Sequence, residues 1–254
     1  MATTIAISNQ KGGVAKTTTC LSLGACLSEM GQIVLLVDLD PQANLTLSMG
    51  LKPRELRRTV GDALLGNASL VGVSRESPVY GLDIVPANQG LVVLDRILYG
   101  RPGYQFRLKN GLDIMDEGFY DFVLIDCPPS LGTLTLNALT AADLLVIPIQ
   151  CEYYAAHTLL HFVKLVQRVR EKTNPRLKYR VLVTMYDRRN KICRVILGQM
   201  QRGLSEVLFS TVIEVDTRLR ESPVFGQPIT LYAPKTRGAQ QYRALAKELM
   251  NHGK

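Results

Sequence analysis

Short apolar runs alternate along this chain with longer segments in which apolar residues recur every three or four positions. The short runs are rich in Val, Ile and Leu, which is typical of strands that a parallel sheet buries on both faces. The longer segments have the length and spacing of helices with one apolar side. Because strands and helices alternate, the pattern predicts an α/β fold with a doubly wound, mostly parallel sheet and helices on both faces.

The predicted elements cover most of the chain. The strands lie at residues 3–8, 33–37, 82–85, 122–125, 144–149 and 180–185. The helices lie at residues 19–30, 60–65, 91–98, 106–115, 155–172, 192–204 and 237–250. Residues 45–78 are otherwise weakly patterned. The sequence contains neither an internal repeat nor a low-complexity linker, so we expect residues 1–254 to form a single domain.

A glycine-containing stretch joins the first predicted strand to the first predicted helix. It reads Lys11-Gly12-Gly13-Val14-Ala15-Lys16-Thr17-Thr18, and its context between a strand and a helix is that of a phosphate-binding loop. The two glycines let backbone N–H groups face phosphate oxygens, and the helix N-terminus adds partial positive charge. Lys16 is placed to reach the β- and γ-phosphates, and the Thr17 hydroxyl can ligate Mg²⁺. A plain glycine turn with solvated lysines is the structural alternative.

The loop departs from the strict pattern G-x-x-x-x-G-K-[ST] at two positions. Gln10 replaces its first glycine, and Ala15, the smallest alternative, replaces its last. A second lysine, Lys11, stands just before the paired glycines. The loop is therefore a variant of the common phosphate-binding pattern rather than a direct match.

Acidic residues follow two of the predicted buried strands. Asp38 and Asp40 come after residues 33–37, and Asp126 comes after four apolar residues. Doubly wound sheets bind ligands at the carboxyl ends of their strands. Asp126 fits a Walker B pattern and is expected to support Mg²⁺ through a water. Asp38 and Asp40 could instead form a strand-end turn, but two carboxylates converging on a phosphate loop favour a role in phosphoryl transfer.

The charge of the chain is unevenly distributed. The whole chain carries +8, residues 1–150 carry −3, and residues 151–254 carry +11. Such asymmetry suggests a polyanionic partner on one face, with nucleic acid ahead of anionic lipid. A solvated basic surface without a ligand is the alternative.

Cysteine and histidine usage gives no sign of a metal site. The five cysteines are scattered without a Cys-x-x-Cys pair, which suits a reducing cytosol and argues against structural zinc or iron–sulfur binding. His157 and His161 lie four apart on a predicted helix but without a His-Glu-x-x-His motif, so we expect structural roles for them. No apolar run has the length of a membrane span, and no secretory signal is recognisable, so we expect a cytoplasmic protein.

Four blocks of sequence, in chain order, carry a resemblance to one protein family. The blocks are KGGVAKTT, VDLDPQAN, FVLIDCPPS and TRLRESPVFGQPI, and they extend over about residues 4–228. Together they resemble the ParA/Soj chromosome- or plasmid-partitioning ATPases. This family has the deviant Walker A loop, KGGxxGKT, of the ParA/MinD group within the P-loop NTPase fold.

The resemblance implies a nucleotide mechanism and a dimer. ATP–Mg²⁺ would close two subunits face to face into a homodimer, with Lys11 of each subunit reaching the phosphates of the other. Lys16 and the loop amides would hold the nucleotide, Thr17 would ligate Mg²⁺, and Asp126 would support the ion. Asp40 would position the attacking water, while Asp38 would help to hold the active geometry.

The resemblance also implies DNA binding by the ATP dimer. Residues 151–254 would form a face that binds double-stranded DNA without sequence preference. Arg218 and Arg189 match DNA-contacting arginines of the family, and Arg188 and Arg220 are their neighbours. A ParB-type partner would stimulate ATP hydrolysis and release the dimer. We therefore expect a nucleoid-associated protein without a membrane partner.

Two departures from the family pattern affect these expectations. Glu214-Val215-Asp216 stands where the family commonly has Pro-Arg-Asn, so the adenine contacts stay open. The phosphate loop begins close to Met1, so a preceding helix-turn-helix, and with it sequence-specific DNA binding, is not expected.

Three other functions fit parts of the sequence. A MinD-like membrane ATPase would need a basic amphipathic C-terminal helix, whereas residues 238–254 resemble a helix that docks on its own domain. A ligase of the dethiobiotin-synthetase type would need a substrate pocket beside the γ-phosphate, which no residue set identifies. A ParA-like ATPase that positions another cargo would share the same chemistry.

Overall fold

The computed structural model describes residues 2–115, 118–152 and 155–252, without the side chains of residues 155–158 and 252. Within these residues the strands are β1 Thr3–Ile7, β2 Val34–Asp38, β3 Arg75–Glu76, β4 Leu82–Val85, β5 Phe122–Asp126, β6 Leu144–Ile149, β7 Lys178–Tyr186 and β8 Leu208–Glu214. The α-helices are α1 Lys16–Glu29, α2 Asn44–Ser48, α3 Val60–Leu65, α4 Leu70–Val73, α5 Leu91–Leu98, α6 Arg107–Asp113, α7 Thr133–Ala141, α8 Ala155–Lys172, α9 Lys191–Gly203, α10 Thr217–Glu221, α11 Ile229–Tyr232 and α12 Arg237–His252. Short 3₁₀ turns lie at Pro53–Glu55, Tyr104–Phe106 and Ser222–Phe225.

The strands form one sheet in the order β3-β4-β2-β5-β1-β6-β7-β8. All neighbours pair in parallel except the two-residue β3, which runs antiparallel to β4 at the edge. The predicted doubly wound, mostly parallel sheet is confirmed. The register aligns Ile7 with Asp126 and Asp38 with Asp126, so the ends of β1, β2 and β5 lie side by side. This alignment places the phosphate loop beside both strand-end carboxylates.

Both faces of the sheet are covered by helices, since the central strands carry apolar side chains on both faces. In β2, Leu35 and Val37 pack into the core under α3 to α8, whereas Val34 and Leu36 pack into the core with α1 and α12. Successive side chains point to opposite faces of a strand, so one continuous apolar run supplies both cores.

The C-terminal helix docks on its own domain, as the sequence predicted. Tyr242 and Leu245 of α12 are fully buried in the core beside α1. The Glu248 carboxylate of α12 accepts hydrogen bonds from the N–H groups of Ser210 (2.8 Å) and Thr211 (2.9 Å) on the edge strand β8. It also pairs with the Arg180 guanidinium at 3.0 Å. The helix thus satisfies backbone donors that an edge strand would otherwise leave exposed.

Some elements differ from the predicted ones. Helix α1 begins at Lys16 rather than at residue 19, so Lys16, Thr17 and Thr18 form its first turn. Helix α7 was not predicted because its alternating threonines and leucines match neither a helical nor a buried-strand pattern. Strand β8 was not predicted because Ser210 and Thr211 interrupt its apolar run, as an edge position allows.

Candidate nucleotide-binding site

The phosphate loop runs from the end of β1 to the start of α1. Gly13 has φ 73° and Ala15 has φ 65°, both in the left-handed region. A Cβ atom added at Gly12 or Gly13 would meet nothing within 4 Å, so the loop borders open space. Ala15 provides no side-chain cap for α1, and the first N–H groups of this helix therefore stay available to an anion. The loop and helix terminus together fit a bound phosphate chain.

The backbone at Ala15 explains why glycine is favoured at this position. A residue with a Cβ atom in the left-handed region costs about 1–2 kcal/mol of folding free energy, and glycine avoids this cost. Glycine also raises the entropy of the unfolded chain, so only part of the cost is regained as stability. We expect Ala15→Gly to raise the free energy of unfolding by about 0.5–1 kcal/mol in urea denaturation. Ala25→Gly, within α1, is the matched control and should lower it by about 1 kcal/mol or more. Destabilisation by both changes would contradict the strain assigned to Ala15.

A cavity of about 590 Å³ opens beside the loop, at the carboxyl edge of the sheet. Its volume lies in the range of small-molecule and cofactor sites. The far wall contains apolar side chains from the ends of β7 and β8 and from α10 and the turn after it. These residues are Met185, Ile213, Val215, Leu219, Pro223 and Val224.

Lys16 lies at the inner end of this cavity. Only 8% of its surface is exposed, and its ammonium donates a hydrogen bond to the Lys11 carbonyl oxygen at 3.2 Å. Burial lowers the pKa of Lys16, while the nearby Asp126 and Asp40 carboxylates oppose that shift. A buried cation that faces open space and two carboxylates is suited to contact phosphates.

Asp126 is fully buried at the end of β5. Neither of its carboxylate oxygens receives a well-aligned hydrogen bond from a described residue. Burial raises the pKa of Asp126 well above its usual value, the Asp38 carboxylate adds to the rise, and the nearby Thr17 hydroxyl opposes it. Buried carboxylates are normally paired or coordinate a cation. Its burial next to Thr17 therefore fits a Mg²⁺ held by the Thr17 hydroxyl, with Asp126 acting through a water.

The Mg²⁺ ion does not require a cluster of protein side chains as direct ligands. Among the described residues, no group of three or more His, Cys, Asp or Glu side chains is arranged to hold a metal. Mg²⁺ usually keeps several waters and takes further ligands from substrate phosphates. The side chain of His157 lies outside the described residues, so its predicted structural role stays a prediction.

Asp38 braces the segment that follows β2. Its carboxylate accepts hydrogen bonds from the N–H of Asp40 (3.0 Å) and from the N–H and hydroxyl of Thr46 (2.9 and 2.7 Å). Burial raises the pKa of Asp38 to about 7, against the effect of these hydrogen bonds. The Thr46 hydroxyl in turn accepts from the N–H of Ala87 at 2.9 Å. Asp38 therefore ties the start of α2 to the end of β2, while its role in holding the active geometry stays a prediction.

Asp40 lines the nucleotide cavity itself. It is 7% exposed, and its carboxylate accepts a hydrogen bond from the N–H of Gln42 at 2.9 Å. Burial raises the pKa of Asp40, while that hydrogen bond and the Lys16 ammonium lower it. The structure thus brings Asp40 together with the phosphate loop, as the sequence predicted, and leaves its carboxylate facing the space beside Lys16.

Lys11 is turned away from Lys16. Its half-exposed side chain pairs with Glu152 and donates to the Gln150 side-chain oxygen at 3.2 Å, beyond the end of β6. The Gln150 amide also donates to the Gly13 carbonyl oxygen at 3.0 Å. No local sequence pattern indicates the Lys11–Glu152 pair, because the two residues are far apart in the chain.

The predicted DNA-contacting arginines lie near the same edge of the sheet. Arg188 and Arg189 follow β7, while Arg218 belongs to α10, which follows β8. Both matched arginines have an acidic partner, since Arg189 pairs with Asp187 at 2.9 Å and Arg218 pairs with Glu221 at 2.7 Å. The i,i+3 spacing of the second pair was a sequence signal for it. Arg220 differs, because it lines the nucleotide cavity.

The segment that departs from the family pattern has structural contacts. The Glu214 carboxylate pairs with Arg237 at 3.0 Å, and the Asp216 carboxylate accepts from the N–H groups of Arg218 (3.0 Å) and Gly238 (2.8 Å). The Glu214 carboxylate therefore joins β8 to α12, and the Asp216 carboxylate joins α10 to α12. All three residues of the segment line the cavity, and Val215 offers it an apolar surface.

The described residues contain no helix that is both long and apolar enough to cross a membrane.

Several known proteins are similar to this chain over nearly its whole length. Residues 2–179 match a family described as an AAA domain. The sporulation initiation inhibitor protein Soj of Bacillus subtilis is 42% identical over 250 residues, which is 98% of this chain and 98% of Soj. The chromosome partitioning protein ParA of Caulobacter vibrioides is 40% identical over 249 residues, which is 97% of this chain and 93% of ParA.

A solved structure with bound nucleotide is also similar. It is cobyrinic acid a,c-diamide synthase from Mycobacterium smegmatis with bound ATP analog and magnesium, at a TM-score of 0.87 and 38% identity. The match covers 99% of this chain and 96% of that chain. Together with the loop, Lys16 and Asp126, these comparisons identify an ATPase with ATP and Mg²⁺ as cofactors. The chain belongs to the ParA/Soj family of chromosome-partitioning ATPases.

Proposed function

We propose that ATP–Mg²⁺ joins two copies of this chain face to face and that this dimer binds double-stranded DNA without sequence preference. Hydrolysis, stimulated by a ParB-type partner, then releases the dimer from the nucleoid. The observation that carries the proposal is the placement of two lysines on one loop. Lys16 lies inside the nucleotide cavity, whereas the Lys11 ammonium lies outside it, where a second subunit could approach.

The residues of one subunit supply most of the hydrolytic site. The loop amides and Lys16 bind and orient the phosphates, and bound Mg²⁺ would neutralise charge that develops on them. Asp40 orients a water toward the γ-phosphorus. The bond between the water oxygen and the γ-phosphorus then forms while the bond between the γ-phosphorus and the ADP oxygen breaks. Asp38 keeps Asp40 in place through the N–H of Asp40 and through Thr46.

Lys11 completes the site in the dimer. In the single chain its ammonium is held by Glu152 and Gln150. Exposed ion pairs of this kind contribute only about 0.2–1 kcal/mol, so a partner's phosphates can displace Glu152. The developing charge on a transferring phosphoryl group then attracts two lysines, one from each subunit.

The basic charge of residues 151–254 supports a DNA partner. Arg188, Arg189 and Arg218 are exposed near one edge of the sheet, and arginines placed in this way contact phosphates, which carry no sequence information. The Caulobacter vibrioides relative is a chromosome partitioning protein, which agrees with DNA as the polyanion. A dimer doubles these contacts on one body and should bind DNA far better than a single subunit.

Replacing Lys11 tests the dimer. We expect Lys11→Ala to bind ATP with near wild-type affinity but to lose ATP-dependent dimerisation, measured by light scattering, and to hydrolyse ATP at least about 100-fold more slowly. Lys52→Ala, which removes another exposed lysine of the same half of the chain, is the matched control and should behave as wild type. Normal dimerisation and hydrolysis by Lys11→Ala would remove the case for a lysine that acts across the dimer.

One comparison favours a second candidate function. The similar Mycobacterium smegmatis structure is named as a cobyrinic acid a,c-diamide synthase, and such an enzyme would spend ATP to join an amine to a carboxylic acid. A partitioning ATPase should hydrolyse ATP without any such acid, and cobyrinic acid with ammonium should leave its rate unchanged. ATP consumption that requires cobyrinic acid would favour the ligase.

A further inference from the structure

Helix α10 connects the nucleotide cavity with the proposed DNA surface. Leu219 and Arg220 line the cavity, and Arg218, between Thr217 and Leu219, is exposed to solvent. Glu221 is the last residue of the same helix. Because α10 has only five residues, a change at Leu219 or Arg220 can alter how the Arg218 and Glu221 side chains are placed relative to each other.

Arg218 is engaged by its own chain. Its guanidinium donates to a Glu221 carboxylate oxygen at 2.7 Å, and the Tyr232 hydroxyl donates to the same oxygen at 2.8 Å. The Tyr232 hydroxyl and then the Arg218 guanidinium lower the pKa of Glu221, so this group is a carboxylate at neutral pH. A DNA phosphate must therefore compete with Glu221 for Arg218.

The segment after α10 reaches the nucleotide as well. Pro223 and Val224, in the turn Ser222–Phe225, line the same cavity as Leu219. Gly226 ends this turn with φ 63°. A Cβ atom added at Gly226 would lie 3.0 Å from the Cα of Gly50, so the two backbones are in close contact.

Gly50 follows helix α2. This helix lies between the turn Ser222–Phe225 and the carboxylates of Asp38 and Asp40. The first part of α2 is held by Asp38 through Thr46, and Asp40 lies between β2 and α2. A packed path therefore runs from the carboxylates beside the γ-phosphate site, through α2 and the Gly50–Gly226 contact, to α10. Such contiguous contacts can couple two sites when the element between them has two positions.

We propose that Glu221 competes with DNA phosphate for Arg218 and that ATP in the adjoining cavity rearranges α10 so that the Arg218–Glu221 pair opens and Arg218 is released. The inference rests on the proposed function and deepens it, because it places part of the nucleotide dependence of DNA binding inside each subunit. Glu221 is on this account a positioning residue that weakens DNA binding when ATP is absent. The doubling of contacts in the dimer acts in addition.

Asp187 provides the matched comparison. It holds Arg189 by two hydrogen bonds, at 3.0 and 2.9 Å, in the same kind of carboxylate–guanidinium pair. Neither residue lines the nucleotide cavity. Removing the Asp187 charge should therefore strengthen DNA binding to the same extent in every nucleotide state.

The test is DNA affinity in two nucleotide states, measured by fluorescence anisotropy on a labelled duplex of arbitrary sequence over a salt series. With ADP we expect Glu221→Gln to bind the duplex about fivefold more tightly than wild type does. A change of this size is what the loss of one exposed ion pair produces. The DNA affinity of this variant should also fall more steeply with salt, by the amount expected for about one additional phosphate contact per subunit. In ATP the gain should be less than about twofold, while Asp187→Asn should gain equally in both states.

Each of the other outcomes would contradict one specific part of the proposal. Equal gains for Glu221→Gln in ADP and ATP would overturn the coupling through α10, and no gain in ADP would overturn the competition for Arg218. Either result, with wild type still binding DNA far more tightly in ATP than in ADP, leaves the proposed function intact. Failure of wild type and both variants to bind DNA in any nucleotide state would overturn both proposals.

Discussion

Lys16→Ala should abolish useful ATP binding. Lys16 is the nearly buried cation between the phosphate loop and the Asp40 and Asp126 carboxylates. Its removal takes away the main charge that faces the β- and γ-phosphates and leaves the two carboxylates to repel them. Losing one partner of a desolvated charge pair costs about 2–5 kcal/mol, so we expect affinity to fall by about 30-fold to several thousandfold.

Titration calorimetry with a non-hydrolysable ATP analogue and Mg²⁺ measures this loss. Lys11→Ala is the control on the same loop, because the Lys11 ammonium lies beside Glu152 and Gln150 rather than in the cavity of its own subunit. At protein concentrations too low for dimerisation, this variant should bind the analogue as wild type does. Equal losses in the two variants would show that the loop lysines do not divide their roles as proposed.

Asp40→Ala should separate ATP binding from hydrolysis. The carboxylate lies in the cavity wall close to Lys16, where it can orient a water toward the γ-phosphate. Removing it should leave ATP binding and dimer formation in place and slow hydrolysis by about 100-fold or more. A radiolabelled-phosphate release assay gives the rate, and light scattering shows whether the dimer persists.

A second substitution distinguishes chemistry from turn formation at this position. Asp40→Asn keeps a side-chain oxygen that can accept the hydrogen bond from the N–H of Gln42, but it removes the negative charge. We expect it to be as slow as Asp40→Ala. Wild-type hydrolysis by Asp40→Asn would show that Asp40 only forms the turn and that another group positions the water.

Much of the fold and of the nucleotide site could be predicted because their signals are local. The apolar runs of β2 and β5 follow from burial on both faces, and the loop glycines with Lys16 and Thr17 follow from the geometry of a phosphate contact. Asp126 could be placed because it directly follows a buried strand. The fold then aligns Asp38 with Asp126 through the strand register.

The missed features depend on contacts between distant parts of the chain. Strand β8 is stabilised by Glu248 of α12 as well as by its neighbour β7, so its own sequence gives a weak strand signal. The Lys11–Glu152 pair joins residues that follow the neighbouring parallel strands β1 and β6 but are far apart in the sequence, so no local pattern predicts it. The acidic partners of the arginines lie close in sequence, yet only the structure shows that α10 also borders the nucleotide cavity.

The role in partitioning requires that nucleotide control DNA binding, and one measurement tests this most directly. Gel shifts on unrelated duplexes, with ATP, ADP and no nucleotide over a salt series, compare wild type with Arg218→Glu. Strong binding only in ATP, little dependence on sequence and a steep loss with salt are predicted for wild type, because the contacts are to phosphate. Arg218→Glu should lose DNA binding while keeping ATP-dependent dimerisation. Binding that does not need ATP, or that is confined to one sequence, would contradict the account.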